Sequence, residues 1–277
     1  MNVRRFQRIE NIVVYLFLAV VYIVVLFPIL WTFLTSIKNP TETFLIPPVW
    51  IFKPTLENYV DAFAKKPFFF YMMNSGILAI SATGLSTLFG FLAGYSFARF
   101  RFFSKDFLFF GILSTRMVPV IAILIPLYVQ FWNWGLLDSY FAMILVYTAR
   151  TVGYATWQMH AFFQSIPRDL DESAMIDGCS RLGALFRVVL PLSLPGLISF
   201  VILNLVYLWN DFIVAMILTG SHTKTATVAI AGFITYLNIQ WGSAAAASTI
   251  VMLPMMVLVI CLQKYIVSGL LAGAVKG

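Results

Sequence analysis

The amino-acid sequence predicts an all-α, polytopic membrane protein with six transmembrane helices, and three observations carry that expectation. Apolar residues fill 61% of the 277 positions and charged residues only 10%, a balance outside the range of domains that fold in water. Runs with few or no charges recur along the chain, and several reach the roughly 20 residues that a helix needs to cross a bilayer. Lys and Arg gather at alternate ends of these runs instead of spreading evenly.

The first span is Ile12 to Leu34, preceded by Arg4, Arg5 and Arg8. It superficially resembles a secretory signal, but it is too long for a signal core and no small-residue cleavage site follows, so it reads as a retained span. The second, Phe68 to Ala98, carries Ser86, Gly90, Gly94 and Ala98 at every fourth position, a smooth stripe suited to close packing or to a sliding contact with another helix. The third and fourth, Phe107 to Phe131 and Tyr140 to Phe163, are interrupted by Arg116 and Arg150; the fifth and sixth are Leu197 to Thr219 and Ser243 to Leu262. Pro119, Pro126 and Pro254 remove backbone hydrogen bonds inside these runs and imply kinks or hinges. Turn residues such as Lys38-Asn39-Pro40, Pro47-Pro48, Lys65-Lys66-Pro67 and Gly220-Ser221 separate the spans, and the chain reads as one transmembrane domain, 1–277.

Positively charged loops stay preferentially in the cytoplasm. With the N-terminus inside, that side carries Arg4, Arg5, Arg8, Arg99, Arg101, Lys105, Arg168, Arg181, Arg187, Lys264 and Lys276. The other side carries Lys38, Lys53, Lys65, Lys66 and Lys224, so eleven against five places both termini in the cytoplasm. Loops 38–67 and 220–242 are then external, and loop 165–191 is internal.

Several chemistries are disfavoured. Cys179 and Cys261 form no C-x-x-C pair, and His160 and His222 are too far apart to suggest a metal pair or a triad, so no metal site and no catalytic residue is expected. The net charge of +7 lacks the aromatic-interleaved patch of a nucleic-acid binder. No Gly-Lys dipeptide occurs, so the phosphate-cradling loop of an ATPase is missing.

Polar groups inside the spans mark candidate function, because they are costly in hydrocarbon. Asn204, Tyr207 and Asp211, spaced i, i+3 and i+7, are expected on one face of the fifth span, with Asn210 beside them. They are candidates either for a translocation path or for hydrogen bonding between helices. Either Arg116 or Arg150 is expected to pair with Asp211; alternatively the arginines reach an aqueous vestibule.

The internal loop reads as helix, bend, helix. Pro167 suits a first helical position, Asp169, Asp171 and Glu172 favour the positive end of the helix dipole, and Gly178 suits a left-handed stop. Ser180 is placed to cap a second helix, Arg181 to Leu190, ending before Pro191, with Leu182, Leu185, Phe186 and Val189 as its apolar face. Acidic residues argue against a segment lying on anionic lipid, whereas small Ser173 and Ala174 suit close approach of another protein.

Glu172-Ser173-Ala174, then Gly178, then Leu190-Pro191 resembles the EAA motif of permease subunits of ATP-binding-cassette (ABC) importers. Ser173 and Val188 depart from its usual Ala and Ile but keep small size and apolar character. Ile166-Pro167, Asp177, Phe186, Leu56-Glu57-Asn58-Tyr59, Gly94-Tyr95-Ser96-Phe97-Ala98-Arg99-Phe100, Trp209-Asn210-Asp211-Phe212 and the tail Gly269 to Gly277 are similar to the binding-protein-dependent carbohydrate branch, of MalG type. The resemblance implies that Glu172, Ser173, Ala174, Asp177, Gly178 and Pro191 belong to a cytoplasmic coupling helix fitting a separate ATPase, and that the tail Ala272 to Gly277 touches the same partner. It further implies a non-catalytic subunit without a cofactor of its own, ATP and Mg being held by the ATPase. The implied partners are a second, different permease, two ATPase chains, a periplasmic or extracellular solute-binding protein and membrane lipid, in the bacterial cytoplasmic membrane. Tyr236, Asn238, Gln240 and Trp241 are candidate contacts for the binding protein. A stand-alone secondary transporter or channel, using Asp211, Arg116 and Arg150 as a charge relay, is the alternative; an intramembrane enzyme lacks a catalytic set.

Overall fold

The computed structural model describes residues 3–64, 67–235 and 239–274, with side chains over 10–64, 67–235 and 239–265. Expectations resting on Arg4, Arg5, Arg8, Lys65, Lys66, Tyr236, Asn238, Lys276 and the tail Ala272 to Gly277 fall outside the described side chains. The described chain is helical, without a strand: α1 (Val3–Ser36), α2 (Glu57–Ala64), α3 (Phe68–Arg99), α4 (Lys105–Ser114), α5 (Val120–Asn133), α6 (Tyr140–Ser165), α7 (Arg168–Ile176), α8 (Arg181–Ala184), α9 (Leu190–Trp209), α10 (Ile213–Leu218), α11 (Ala226–Ala231) and α12 (Trp241–Ala274).

The all-α membrane fold stands, but the pattern of spans is less regular than six continuous helices. Among the described residues, four segments are long and apolar enough to cross a bilayer alone: Glu10–Ser36, Phe68–Arg99, Arg181–Trp209 and Trp241–Tyr265. The expected third span is broken: α4 with its trailing 3-10 turn, Thr115–Met117, meets α5 at 90°. Pro119 caps α5 and donates no N–H, which explains the break at Val118-Pro119. α6 is long enough, yet polar Arg150, Thr151, Thr156 and His160 keep its hydropathy below that of the other four. The expected fifth span also divides, because α9 ends at Trp209 and α10 begins only at Ile213.

The second helix of the loop does not stop before Pro191. A π-turn over Leu185–Val189 joins α8 to α9, and Pro191 falls in the first turn of α9. Proline has no N–H for the carbonyl four residues back, and the wider turn absorbs that missing bond within a continuous helix. The apolar face expected there divides: Leu185 and Val189 are buried, whereas Leu182 and Phe186 are exposed.

The chain forms two compact units, residues 1–68 with 230–252, and residues 69–229 with 253–277. In the first, Asn58 donates to the carbonyls of Ser36 and Lys38 at 3.0 and 2.6 Å, fastening the chain where α1 ends. Ser36 and Tyr59 share a hydroxyl contact of 2.7 Å. Nearly the whole apolar length of α1 is exposed, as suits a helix standing in hydrocarbon.

In the second unit, the small-residue stripe lets α3 meet α6 and α9. A Cβ at Gly90 would fall 2.2 Å from that of Ala155, and one at Gly94 2.7 Å from that of Met159, so only glycine permits this approach. One apolar cluster gathers Leu78, Leu124, Met143, Tyr147 and Leu218; another gathers Phe91, Tyr95, Phe163, Leu185, Val189 and Phe200.

Candidate functional site

The loop 165–191 is built around α7. Pro167 is its N-cap, one position earlier than its sequence suggests, and Asp169 and Asp171 occupy the first turn. Gly178 stops it with φ +91°, and Ser180 caps α8 by accepting from the Gly183 N–H at 3.1 Å. Glu172, Ser173, Ile176, Asp177 and Gly178 are exposed, whereas Asp171 and Ala174, three residues apart, are buried on the opposite face. Pro191 is exposed at the start of α9.

What holds α7 was not singled out from sequence. The Arg99 guanidinium, at the end of α3, pairs with the Asp171 carboxylate through Nε. Its other nitrogens donate to the carbonyls of Phe163 and Ile166 at 2.9 and 3.0 Å, where α6 runs out. Arg168 returns from α7 to the Ala98 carbonyl at 3.0 Å. One planar cation thereby ties α3, the end of α6 and α7 together, and both members of the ion pair are nearly buried. The available signal was Arg99 closing a long apolar run while Asp171 fell on the same helical face as Ala174.

The polar residues of the spans separate into three places. Asn204 is buried and donates to Thr83 Oγ1 at 3.0 Å and Ser86 Oγ at 3.3 Å, linking α9 to α3. Asp211 does not continue the helical face of Asn204 and Tyr207, because α9 has already ended. Its Oδ1 accepts from the Val214 and Ala215 N–H groups at 3.1 and 3.3 Å, so from the position before the N-cap Phe212 it satisfies two free amides in the first turn of α10. Its Oδ2 pairs with Arg150 at 2.7 Å, and Tyr147 donates its hydroxyl to Oδ1 at 3.2 Å. Arg150 also donates to the Tyr207 hydroxyl at 2.6 Å. Asn210 folds back on the Val206 carbonyl at 2.8 Å.

Arg150 is thus the arginine that meets Asp211. Arg116 sits in the 3-10 turn at the α4–α5 break, exposed, with its guanidinium 4.6 Å from the centre of the Tyr154 ring.

A further cluster lies outside the spanning helices. Asp138, in the turn before α6 with φ +55°, accepts from the N–H groups of Gly220, His222 and Thr223 at 2.7, 2.9 and 2.8 Å, and from the Thr223 hydroxyl at 2.7 Å. Burial opposes its charge, but these four donors outweigh burial and bring its pKa down from 3.8 to about 2. Asn74 donates to the His222 and Lys224 carbonyls, both at 3.0 Å, so the segment after α10 is held from two sides. Of the expected external contacts, Gln240 and Trp241 are exposed.

Known proteins resemble the chain over most of its length. Residues 86–271 match the family described as binding-protein-dependent transport system inner membrane component. The chain is 36% identical to the sulfoquinovosyl glycerol transport system permease SmoH of Agrobacterium fabrum, over 91% of this chain and 89% of that protein. It is 35% identical to the trehalose/maltose transport system permease MalG of Thermococcus litoralis, over 92% and 93%. The trehalose transport system permease SugB of Mycobacterium tuberculosis is 35% identical, over 91% and 93%. A chain from the crystal structure of a bacterial ABC transporter involved in import of the acidic polysaccharide alginate shares the fold, with TM-score 0.80, 21% identity, and coverage of 94% of this chain and 98% of that one.

Proposed function

Because the chain belongs to the binding-protein-dependent transport system inner membrane component family, it is a membrane permease subunit of an ABC importer, and we propose that its solute is a sugar or sugar derivative. The names of relatives that transport trehalose, maltose or sulfoquinovosyl glycerol support the solute class. In this reading a different permease completes the translocation path and an external binding protein delivers the solute. Two ATPase chains hydrolyse ATP with Mg at their own sites, while this chain catalyses nothing and binds no cofactor. Both termini lie in the cytoplasm and the membrane is the bacterial cytoplasmic membrane, as the Lys and Arg distribution supports.

One observation carries the mechanism: α7 exposes Glu172 and Ser173 while its buried face is fastened through Asp171 to Arg99. A push on the exposed face by a closing ATPase pair reaches the ends of α3 and α6 without a soft link between. Gly178 lets the chain turn back into α8 and on through the π-turn into α9, so a third helix moves with the same element. Arg150, Asp211, Tyr207 and Tyr147 offer a polar patch along the path, with Tyr207 half exposed.

The test is cross-linking in the assembled importer. With Cys179 and Cys261 replaced by Ser, Glu172→Cys or Ser173→Cys is expected to cross-link to the ATPase chain, and nucleotide is expected to change the yield. Co-purification of a second permease and an ATPase completes the test; a chain that transports solute alone overturns the reading.

A further inference from the structure

The first compact unit contains a cavity of about 460 Å³, between the end of α1, the turn that follows it and the start of α12. Its size falls within the range of small-molecule sites. Trp31, Thr35, Lys38, Glu42, Trp241 and Ser248 are among its lining residues, a mixture of aromatic faces, hydroxyls and both signs of charge.

Two charged groups of opposite sign meet in this lining. Lys38 is 97% buried, with 3% of its surface exposed, and among the described residues no carboxylate lies within ion-pair distance of it. Its ammonium rests instead 4.4 Å from the Trp31 ring and 5.3 Å from the Phe52 ring, neither of which accepts a conventional hydrogen bond. Glu42 Oε2 is shielded from solvent and has no hydrogen-bond partner. A shielded carboxylate oxygen left in this state is costly and calls for an occupant, to which the Lys38 ammonium in the same cavity lining can also donate.

The pair of opposite charges selects the occupant's chemistry. An anion would satisfy Lys38 but meet the Glu42 carboxylate, and a cation would do the reverse. A neutral polyhydroxylated molecule satisfies both, because each hydroxyl can accept from the ammonium or donate to the carboxylate. Trp31 is held as a rigid wall by Phe27, stacked at 6.0 Å, and by Trp50, edge-on at 5.1 Å. Trp241 offers a second aromatic face to the C–H side of a sugar ring.

We propose that this cavity is a saccharide-binding subsite, with Lys38 as hydrogen-bond donor and Glu42 as acceptor to hydroxyls of a mono- or disaccharide. The inference rests on the sugar-importer reading and adds to it a site within this chain, distinct from the Arg150–Asp211 patch.

The test uses the assembled importer in nanodiscs without its external binding protein. Saturation-transfer NMR is run with a mixture of maltose, trehalose, glucose and sorbitol. At least one of these is expected to give a saturable signal, weakened about tenfold by the isosteric Glu42→Gln and by Lys38→Met, since each removes a hydrogen bond to a charged group. The signal is expected to survive Phe103→Ala, an exposed position outside the cavity and outside the Arg150–Asp211 patch. Trp241→Ala, at a half-exposed position, supplies a second route should Lys38→Met fail to assemble, and is expected to weaken binding as well. A signal insensitive to all three cavity variants, or no signal from any sugar, overturns the proposal. So does native mass spectrometry finding a phospholipid retained by the unaltered protein and lost from Lys38→Met. ATP hydrolysis stimulated by the binding protein in the same particle separates the two failures. If it is present without a saccharide signal, only the cavity proposal falls; if no ATPase accompanies the chain, both readings fall.

Discussion

Two Arg–Asp pairs in the second compact unit have the same chemistry and different surroundings. Arg99 meets Asp171 and spends its remaining donors on main-chain carbonyls of Phe163 and Ile166. Arg150 meets Asp211 and turns to the hydroxyl of Tyr207, while Tyr147 supports the carboxylate. Backbone carbonyls at a helix end cannot swing away, so Arg99 works as a fixed bracket between three helices. Side-chain partners can exchange by rotamer change, so Arg150 can release one group and take another as the helices move. The same pair of residue types is held by fixed backbone acceptors in one place and by rotatable side-chain partners in the other.

The sharpest break in that comparison is Arg99→Ala. It leaves the Asp171 charge buried without its partner, a change expected to cost about 3–5 kcal/mol. Thermal unfolding in detergent and loss of the ATPase during purification are the readouts. Arg99→Ala with Asp171→Ala is expected to recover part of that loss, because no orphan charge remains; a double variant as damaged as the sum of the singles would show that the two residues act independently.

Arg150→Ala should follow with a smaller loss of stability, since Tyr147 and the two amides still serve Asp211, but with a larger loss of uptake than of assembly. Equal losses in both would make this pair a bracket like the first. Gly178→Val tests the bend beside the bracket: the left-handed backbone strains a β-branched residue by about 1–3 kcal/mol. Membrane insertion is expected to survive while ATP hydrolysis and uptake separate, and normal coupling in this variant would remove the bend from the mechanism.

The mildest effect is expected at Asp138. Its carboxyl titrates lower in the folded protein than its ordinary 3.8, so its charged form favours the folded loop above that pH, and the contribution is lost as pH falls toward about 2. Hydrogen exchange at Gly220, His222 and Thr223 should therefore quicken across that window, and Asp138→Asn should flatten the dependence.

Much of loop 165–191 was legible in the sequence, because its signals are local. A glycine needing positive φ, a serine cap and acids in a first helical turn each act within a few residues, and α7, Gly178 and Ser180 fall close to where those rules put them. The face of Asn204, Tyr207 and Asp211 was misjudged for the converse reason. Helical spacing holds only while the helix continues, and the end of α9 at Trp209 turned Asp211 from a face residue into an acceptor for the first amides of α10. Pro191 was misjudged because a π-turn can carry a helix past a proline, which residue identity does not reveal.

The sequence by itself determined the solvent, the all-α class, the helix–bend–helix of loop 165–191 and the family, because composition, hydropathy and short motifs are properties of neighbouring residues. Only the tertiary structure decided that Asp211 belongs to Arg150 and Asp171 to Arg99, and that Lys38 and Glu42 face one cavity. Partners 61 and 72 positions apart are chosen by which helix ends the packing brings together, and no local rule encodes that choice.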